Sequence, residues 1–96
     1  MSGTIRQQIA ALLREAVGDA MSLSQAVGIS EKEVYGHLDH VRRSAVASGE
    51  RFEVLPSECL GCGFRFDDRY RLSRPGRCPR CRQGRVSRPA FRIVPR

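Results

Sequence analysis

Hydrophobic residues along the first half of the chain recur at helical spacing. Ile5, Ile9, Leu12, Leu13 and Ala16 fall on one stripe and predict a helix over 5–17. Val34, Leu38, Val41 and Ala45 do the same for a helix over 31–48, and a short apolar segment between them predicts a helix over 23–27. Each begins with a hydroxyl residue followed three positions later by Glu or Gln: Thr4 with Gln7, Ser22 with Gln25, Ser30 with Glu33. In that pattern the hydroxyl accepts from an orphan amide of the first turn while the longer side chain reaches back to the cap. Glycine follows each helix (Gly18, Gly28, Gly49), where a left-handed stop is expected. In the second half the period changes to two. Phe64, Phe66, Tyr70 and Leu72 share one parity and Arg65, Arg69 and Arg71 the other; Phe52 and Val54 alternate before them, Phe91 and Ile93 after. This predicts short strands with an apolar face and an arginine face, interrupted by a turn at Pro75-Gly76.

The joint between the second and third helices has the pattern of a helix-turn-helix. Ser24 is small enough to let two helices approach, Gly28 supplies the turn, and Ile29, Val34 and Leu38 pin the following helix to a core. The third helix would then be the reader in a DNA major groove. Ser30, Lys32, Tyr35 and His37 are its base-facing candidates, and Arg42 and Arg43 candidate phosphate contacts. Glu31, Glu33 and Asp39 on the same helix oppose phosphate, and Gly36 costs its interior about 1 kcal/mol relative to alanine. An ordinary three-helix bundle is the plainer reading of the same pattern. His37 and His40 stand three apart, yet no third ligand at a recognisable spacing accompanies them, so contact with solvent or DNA is the better account.

Cys59, Cys62, Cys78 and Cys81 form C-x2-C-x15-C-x2-C. Each C-x-x-C makes a knuckle with two sulfurs on one side, and the spacer is long enough to bring the second knuckle opposite the first. Four thiolates and no open position suit one structural Zn²⁺ rather than a catalytic metal. Paired disulfides or a redox motif fit less well, because the opening residues carry no secretory signal and a redox site needs only one knuckle.

Composition narrows the function. The chain has 96 residues, 41% hydrophobic and 28% charged, with a formal charge of +7. That length excludes a large enzyme with its own substrate domain. No apolar run approaches the roughly 20 residues of a membrane span, and a cytoplasmic protein is expected. Residues 1–50 carry a net charge of −1 and residues 51–96 a net of +8, with twelve arginines in the second segment. Such asymmetry is the footprint of a polyanion binder, although an arginine-rich solvated surface would have the same composition. Arg65, Arg69, Arg71, Arg74 and Arg77 are the candidate phosphate contacts there.

If strands at 51–55 and 90–94 pair, they form the wing of a winged helix and the cysteine module sits at the wing's tip. The expected architecture is α+β: a helix-turn-helix domain over 1–50, and a zinc ribbon with its wing strands over 51–96. Leu23 through Leu38, together with Cys-Leu-Gly-Cys-Gly-Phe and Pro-Gly-Arg-Cys-Pro-Arg-Cys, resemble the predicted prokaryotic transcriptional regulators in which a helix-turn-helix is fused to a zinc ribbon. The resemblance covers nearly the whole chain. It implies a non-enzymatic regulator that binds double-stranded DNA, with a homodimer as one arrangement. The alternative is an adaptor whose helices dock a protein and whose basic ribbon holds RNA. A redox sensor ranks behind both, and no paired nucleophile and base or phosphate-cradling loop supports an enzyme.

Overall fold

The computed structural model describes residues 3–67, 72 and 75–96. Its elements are α1 (Ile5–Glu15), β1 (Gly18–Asp19), α2 (Ala20–Val27), α3 (Glu31–Ala47), β2 (Glu50–Leu55) and β3 (Ala90–Pro95). The three strands form an antiparallel sheet in the order β1-β3-β2.

The caps of α1 and α3 follow the sequence pattern. Thr4 Oγ1 accepts from the Gln7 amide at 3.2 Å while the Thr4 amide donates to Gln7 Oε1 at 2.9 Å. Ser30 and Glu33 make the same reciprocal pair at 3.1 and 3.3 Å. The second helix differs: it starts at Ala20, capped by Asp19, and Ser22 is the residue that reaches back. A carboxylate at the positive end of the helix is a stronger acceptor than a hydroxyl, and Asp19 is already fixed by its pairing in β1.

Gly18 is therefore not a helix stop. It pairs with Phe91 in the sheet, and a Cβ there would lie 3.3 Å from Ser22 Oγ, with Leu13 and Leu23 just beyond. The first helix ends earlier, at an extended Ala16, which is exposed rather than part of the buried stripe. Gly28 (φ 76°) and Gly49 (φ 80°) do take the left-handed conformation after their helices.

The core draws on every helix and on the central strand. Ile9 and Leu13 of α1, Ala20 and Leu23 of α2, and Val34, Leu38, Val41 and Ala45 of α3 pack with Phe91 and Ile93 of β3. Phe52 of β2 adds a tilted ring contact to Phe91, with centroids 5.8 Å apart. Because α3 runs almost directly into β2, and β2 pairs with β3 from Glu50↔Pro95 to Leu55↔Ala90, the cysteine knuckles between these strands sit at the tip of a wing. The arrangement is a winged helix-turn-helix with a four-cysteine ribbon at that tip.

Among the described residues of the ribbon, pairing takes the form of single bridges, Glu58↔Arg65 and Cys59↔Val86. Phe64 and Phe66 keep their shared parity and meet edge-on at 5.1 Å. Leu72, expected to help cover the cysteines, packs against the helical core instead. Arg69, Tyr70, Arg71 and Arg74 lie outside the described residues. Two bidentate ion pairs brace the halves: Arg14 of α1 to Glu50 of β2 (2.8 and 2.9 Å), and Arg88, just before β3, to Glu31 in the first turn of α3 (2.8 and 3.1 Å).

Candidate functional site

The four cysteines fold into two knuckles with the same local wiring. In the first, the Cys59 amide donates to the Phe64 carbonyl (2.7 Å) and the Gly63 amide to the Cys59 carbonyl (2.8 Å). In the second, the Cys78 amide donates to the Gln83 carbonyl (2.9 Å) and the Arg82 amide to the Cys78 carbonyl (2.8 Å). Backbone amides also point at the sulfurs. Arg80 N donates to Cys78 Sγ at 3.3 Å, and the amides of Cys62 and Gly61 near Cys59, Cys81 near Cys78, Phe64 near Cys62 and Gln83 near Cys81 each favour the thiolate. A Cβ at Gly61 would come within 2.4 Å of Gln83 Oε1 on the opposite knuckle, so a larger residue there would have to displace that exposed side chain.

The four sulfurs lie within 4.8 Å of one another, with Cys59–Cys81 at 3.4 Å and Cys62–Cys78 at 3.7 Å. A disulfide would need about 2.05 Å, and all four thiols are free. A tetrahedron of sulfurs about 2.3 Å from one ion has edges of roughly 3.8 Å, so the spacing fits a single four-sulfur metal centre. Among the described residues this is the one group of three or more His, Cys, Asp or Glu side chains that could hold an ion, and His37 and His40 gain no further ligand.

Electrostatics favour a cation at the same point. The Cys62 amide, with the Gly61 amide and the neighbouring thiols, brings the Cys59 thiol down to about 6 against the pull of its burial. For Cys78, burial raises the thiol, but the amides of Cys81 and Arg80 outweigh it and the net shift is downward. Cys62 and Cys81 go the other way. The Phe64 amide lowers Cys62, and burial with the Cys59 and Cys78 sulfurs overcomes it. The Gln83 amide lowers Cys81, yet the Cys59 sulfur, burial and the two remaining sulfurs push it up to about 12. Two thiols are thus shifted toward ionisation and the other two away from it, and a cation bound among them would favour the thiolate at all four.

Around this centre the arginines divide by whether an acid already holds them. Arg65 pairs with Asp67 at 3.4 Å, Arg51 and Arg92 share Glu53, and Arg88 is taken by Glu31. Arg77, Arg80, Arg82 and Arg85 are exposed, and none has an acidic partner among the described residues. Only Arg77 of these four was singled out by the sequence pattern. Arg80, Arg82 and Arg85 lie between or just after cysteines, in a stretch whose spacing speaks first for metal.

On α3 the candidate reading residues do not share one face. Lys32 is exposed, on the side away from the core, as is Gly36. Ser30 is exposed, but its hydroxyl is engaged in the cap. Tyr35 is half-buried and packs against the core, on the flank where Arg88 approaches. His37 turns to the opposite flank, where Nδ1 accepts from Arg6 Nε of α1 at 3.3 Å. Arg42 and Arg43 both pair with the carboxylate of Asp39, which lies between them and outward. The two guanidinium groups hold the Asp39 carboxyl below its usual range, Arg43 contributing most.

No helix is long and apolar enough to cross a membrane among the described residues. No curated protein matches the chain. The solution NMR structure of protein PF0610 from Pyrococcus furiosus is similar in fold, with a TM-score of 0.83 over 100% of this chain and 95% of that one. At 24% sequence identity that likeness speaks for the fold alone. A family model described as PF0610-like, N-terminal, matches residues 4–52, which run from the cap of α1 through α3 into the first wing strand and make up half of the chain. By that match the chain belongs to the PF0610-like family.

Proposed function

We propose that this protein is a sequence-specific DNA-binding regulator, not an enzyme, whose wing tip is held together by one structural Zn²⁺ on Cys59, Cys62, Cys78 and Cys81. The observation that carries the reading is the pairing of β2 with β3 directly after α3. It makes the basic ribbon the tip of a wing beside a helix-turn-helix, the position from which a wing follows the DNA backbone. Four sulfur donors close the coordination sphere, so the metal supplies folding energy to the ribbon and no open position for chemistry. Lys32, exposed in the first turns of α3, is the residue best placed for a base edge. The unpaired arginines of the ribbon supply sequence-independent attraction, which falls steeply with salt.

The test is recovery of genomic fragments by the zinc-loaded protein at about 150 mM salt, where weak phosphate binding is suppressed. A shared motif among the recovered fragments is the expected result. Lys32→Ala should weaken that motif by about 1–3 kcal/mol while leaving unrelated sequences unchanged. Random recovery would remove sequence-specific regulation and favour an adaptor. One observation supports that second reading: Asp39 engages both Arg42 and Arg43 and lowers the positive charge that α3 offers to phosphate.

A further inference from the structure

The two knuckles can be laid on one another residue by residue, and they differ where it should matter least. Cys59-Leu60-Gly61-Cys62-Gly63-Phe64 corresponds to Cys78-Pro79-Arg80-Cys81-Arg82-Gln83, with the same amide-to-carbonyl bonds closing each. At both positions where the first knuckle has glycine, the second has arginine. The residue after the knuckle must take a left-handed backbone. Gly63 does so at φ 79°, and Arg82 at φ 62° is the one non-glycine residue with positive φ among those described. That conformation is unfavourable for an L side chain, and strain of this kind collects at functional positions. The closing bonds of the knuckle impose it on whatever residue stands there, and the Arg82 side chain is exposed and without an acidic partner among the described residues.

We infer that the second knuckle is a phosphate-binding surface for the backbone of duplex DNA, with Arg82 and Arg80 as its central contacts and Arg77 and Arg85 beside them. This rests on the DNA-binding reading above and says which part of the ribbon meets the DNA. The backbone of each central residue is fixed by the metal centre. Arg82 N donates to the Cys78 carbonyl at 2.8 Å and Arg80 N to Cys78 Sγ at 3.3 Å. Arg85 is pinned from the other knuckle, its carbonyl accepting from Leu60 N at 2.8 Å. The guanidinium groups thus start from a rigid base, and a planar fork of donors matches two phosphate oxygens. The first knuckle, with Leu60 and Gly61 at its tip, offers no such donors.

The decisive comparison is a swap. The double variant Gly63→Arg/Arg82→Gly keeps net charge and the number of strained arginines, and moves one arginine to the equivalent place on the other knuckle. A Cβ at Gly63 meets nothing within 4 Å, so the new side chain has room. Binding of zinc-loaded protein to a mixed-sequence DNA duplex is measured across a salt series, with the thermal midpoint of each variant. We expect the swap and Arg82→Gly alone to lose about tenfold in affinity, the scale of one charged hydrogen-bond contact. Each should also flatten the salt dependence by about one unit. Arg82→Gly should at the same time raise the thermal midpoint by relieving the backbone.

Native affinity in the swap would overturn the inference and leave the DNA-binding reading standing. So would a lowered midpoint in Arg82→Gly. Should the swap not fold, Arg82→Gly is set against Arg96→Gln, an equal loss of charge at the exposed C-terminal residue. Equal weakening by both then overturns the inference, and weakening by Arg82→Gly alone supports it. A native protein that binds single-stranded RNA but no duplex DNA would remove the reading itself, and the inference with it.

Discussion

Phe91 shows at the scale of one residue how the wing and the helices became a single folding unit. It lies on the central strand, is 0% exposed and packs within the same cluster as Ile9, Leu13, Leu23 and Leu38. Its position on a wing strand could be read from alternation with Ile93, but its depth could not, since that depends on where the three helices cross the sheet. Truncation to alanine removes a fully buried ring from this cluster, which costs about 3–5 kcal/mol. Set against total stabilities of about 5–15 kcal/mol, that loss should leave a large unfolded fraction. Chemical denaturation of Phe91→Ala followed by helical circular dichroism should therefore show it, whereas Leu60→Ala, at a side chain 62% exposed, should stay within about 0.5 kcal/mol of native. A Phe91 variant losing less than 1 kcal/mol would mean that the wing strand is dispensable to the helical core.

The elements themselves were legible in proportion to their length. Helices α1 and α3 each span several turns, so apolar period and capping box agreed, and the buried residues of α3 are those of the expected stripe. Strand β1 has two residues, too few for any period to register, and missing it displaced the start of α2 from Ala20 to Leu23. The two caps of α2 are separable by mutation. Asp19→Ala removes the acceptor for the Ser22 amide (2.9 Å) and should cost about 1 kcal/mol. Ser22→Ala keeps that acceptor and should cost less; the reverse order in thermal midpoints would restore Ser22 as the cap. Among the described residues of the ribbon the pairing is limited to single bridges, and the hydrogen bonds of the knuckles organise the backbone around the cysteines. Period alone also leaves open which flank of a helix meets a neighbour, and this is why His37, on the Arg6 side of α3, was grouped with Lys32. Between elements, the Arg14 guanidinium holds the Glu50 carboxyl below its ordinary value through their hydrogen bonds. A depressed carboxyl stabilises the fold above its unfolded value of about 4.3 and stops doing so as pH falls through the lower folded value. The thermal midpoint should therefore drop over that acid interval, and the drop should be smaller in Arg14→Gln. An identical acid profile in both proteins would show that the pair contributes nothing.

At the scale of the whole molecule there are two organising centres on one chain. The helical core with Phe91 and Ile93 forms one cluster, and none of the cysteines or Val86 belongs to it. The second centre is the ring of four sulfurs, backed by buried Cys59, Cys78 and Val86. They are joined by the β2–β3 ladder, by Leu72 against the helical core and by Arg88 on Glu31. Both centres could be read separately from sequence, one from helical period and the other from cysteine spacing. Their joints could not, because each is made by residues far apart in the chain, as with Glu31 and Arg88. This division predicts an asymmetric response to metal removal. With the proposed ion on its four cysteines, a ribbon whose described residues pair only in isolated bridges should depend on that ion for folding, whereas the helices bury their own apolar face. Chelation should release one equivalent of zinc and expose the amides of Cys59, Gly63, Cys78 and Arg82 to hydrogen exchange. The helical circular dichroism and the protection of Val34, Leu38 and Ile93 should persist at moderate temperature. Loss of Arg88 anchoring would then appear as faster exchange in the first turn of α3 before its middle. If helix and ribbon instead melt together when the metal leaves, the joints are stronger than the division between the centres, and the chain folds as one cooperative unit around its ion.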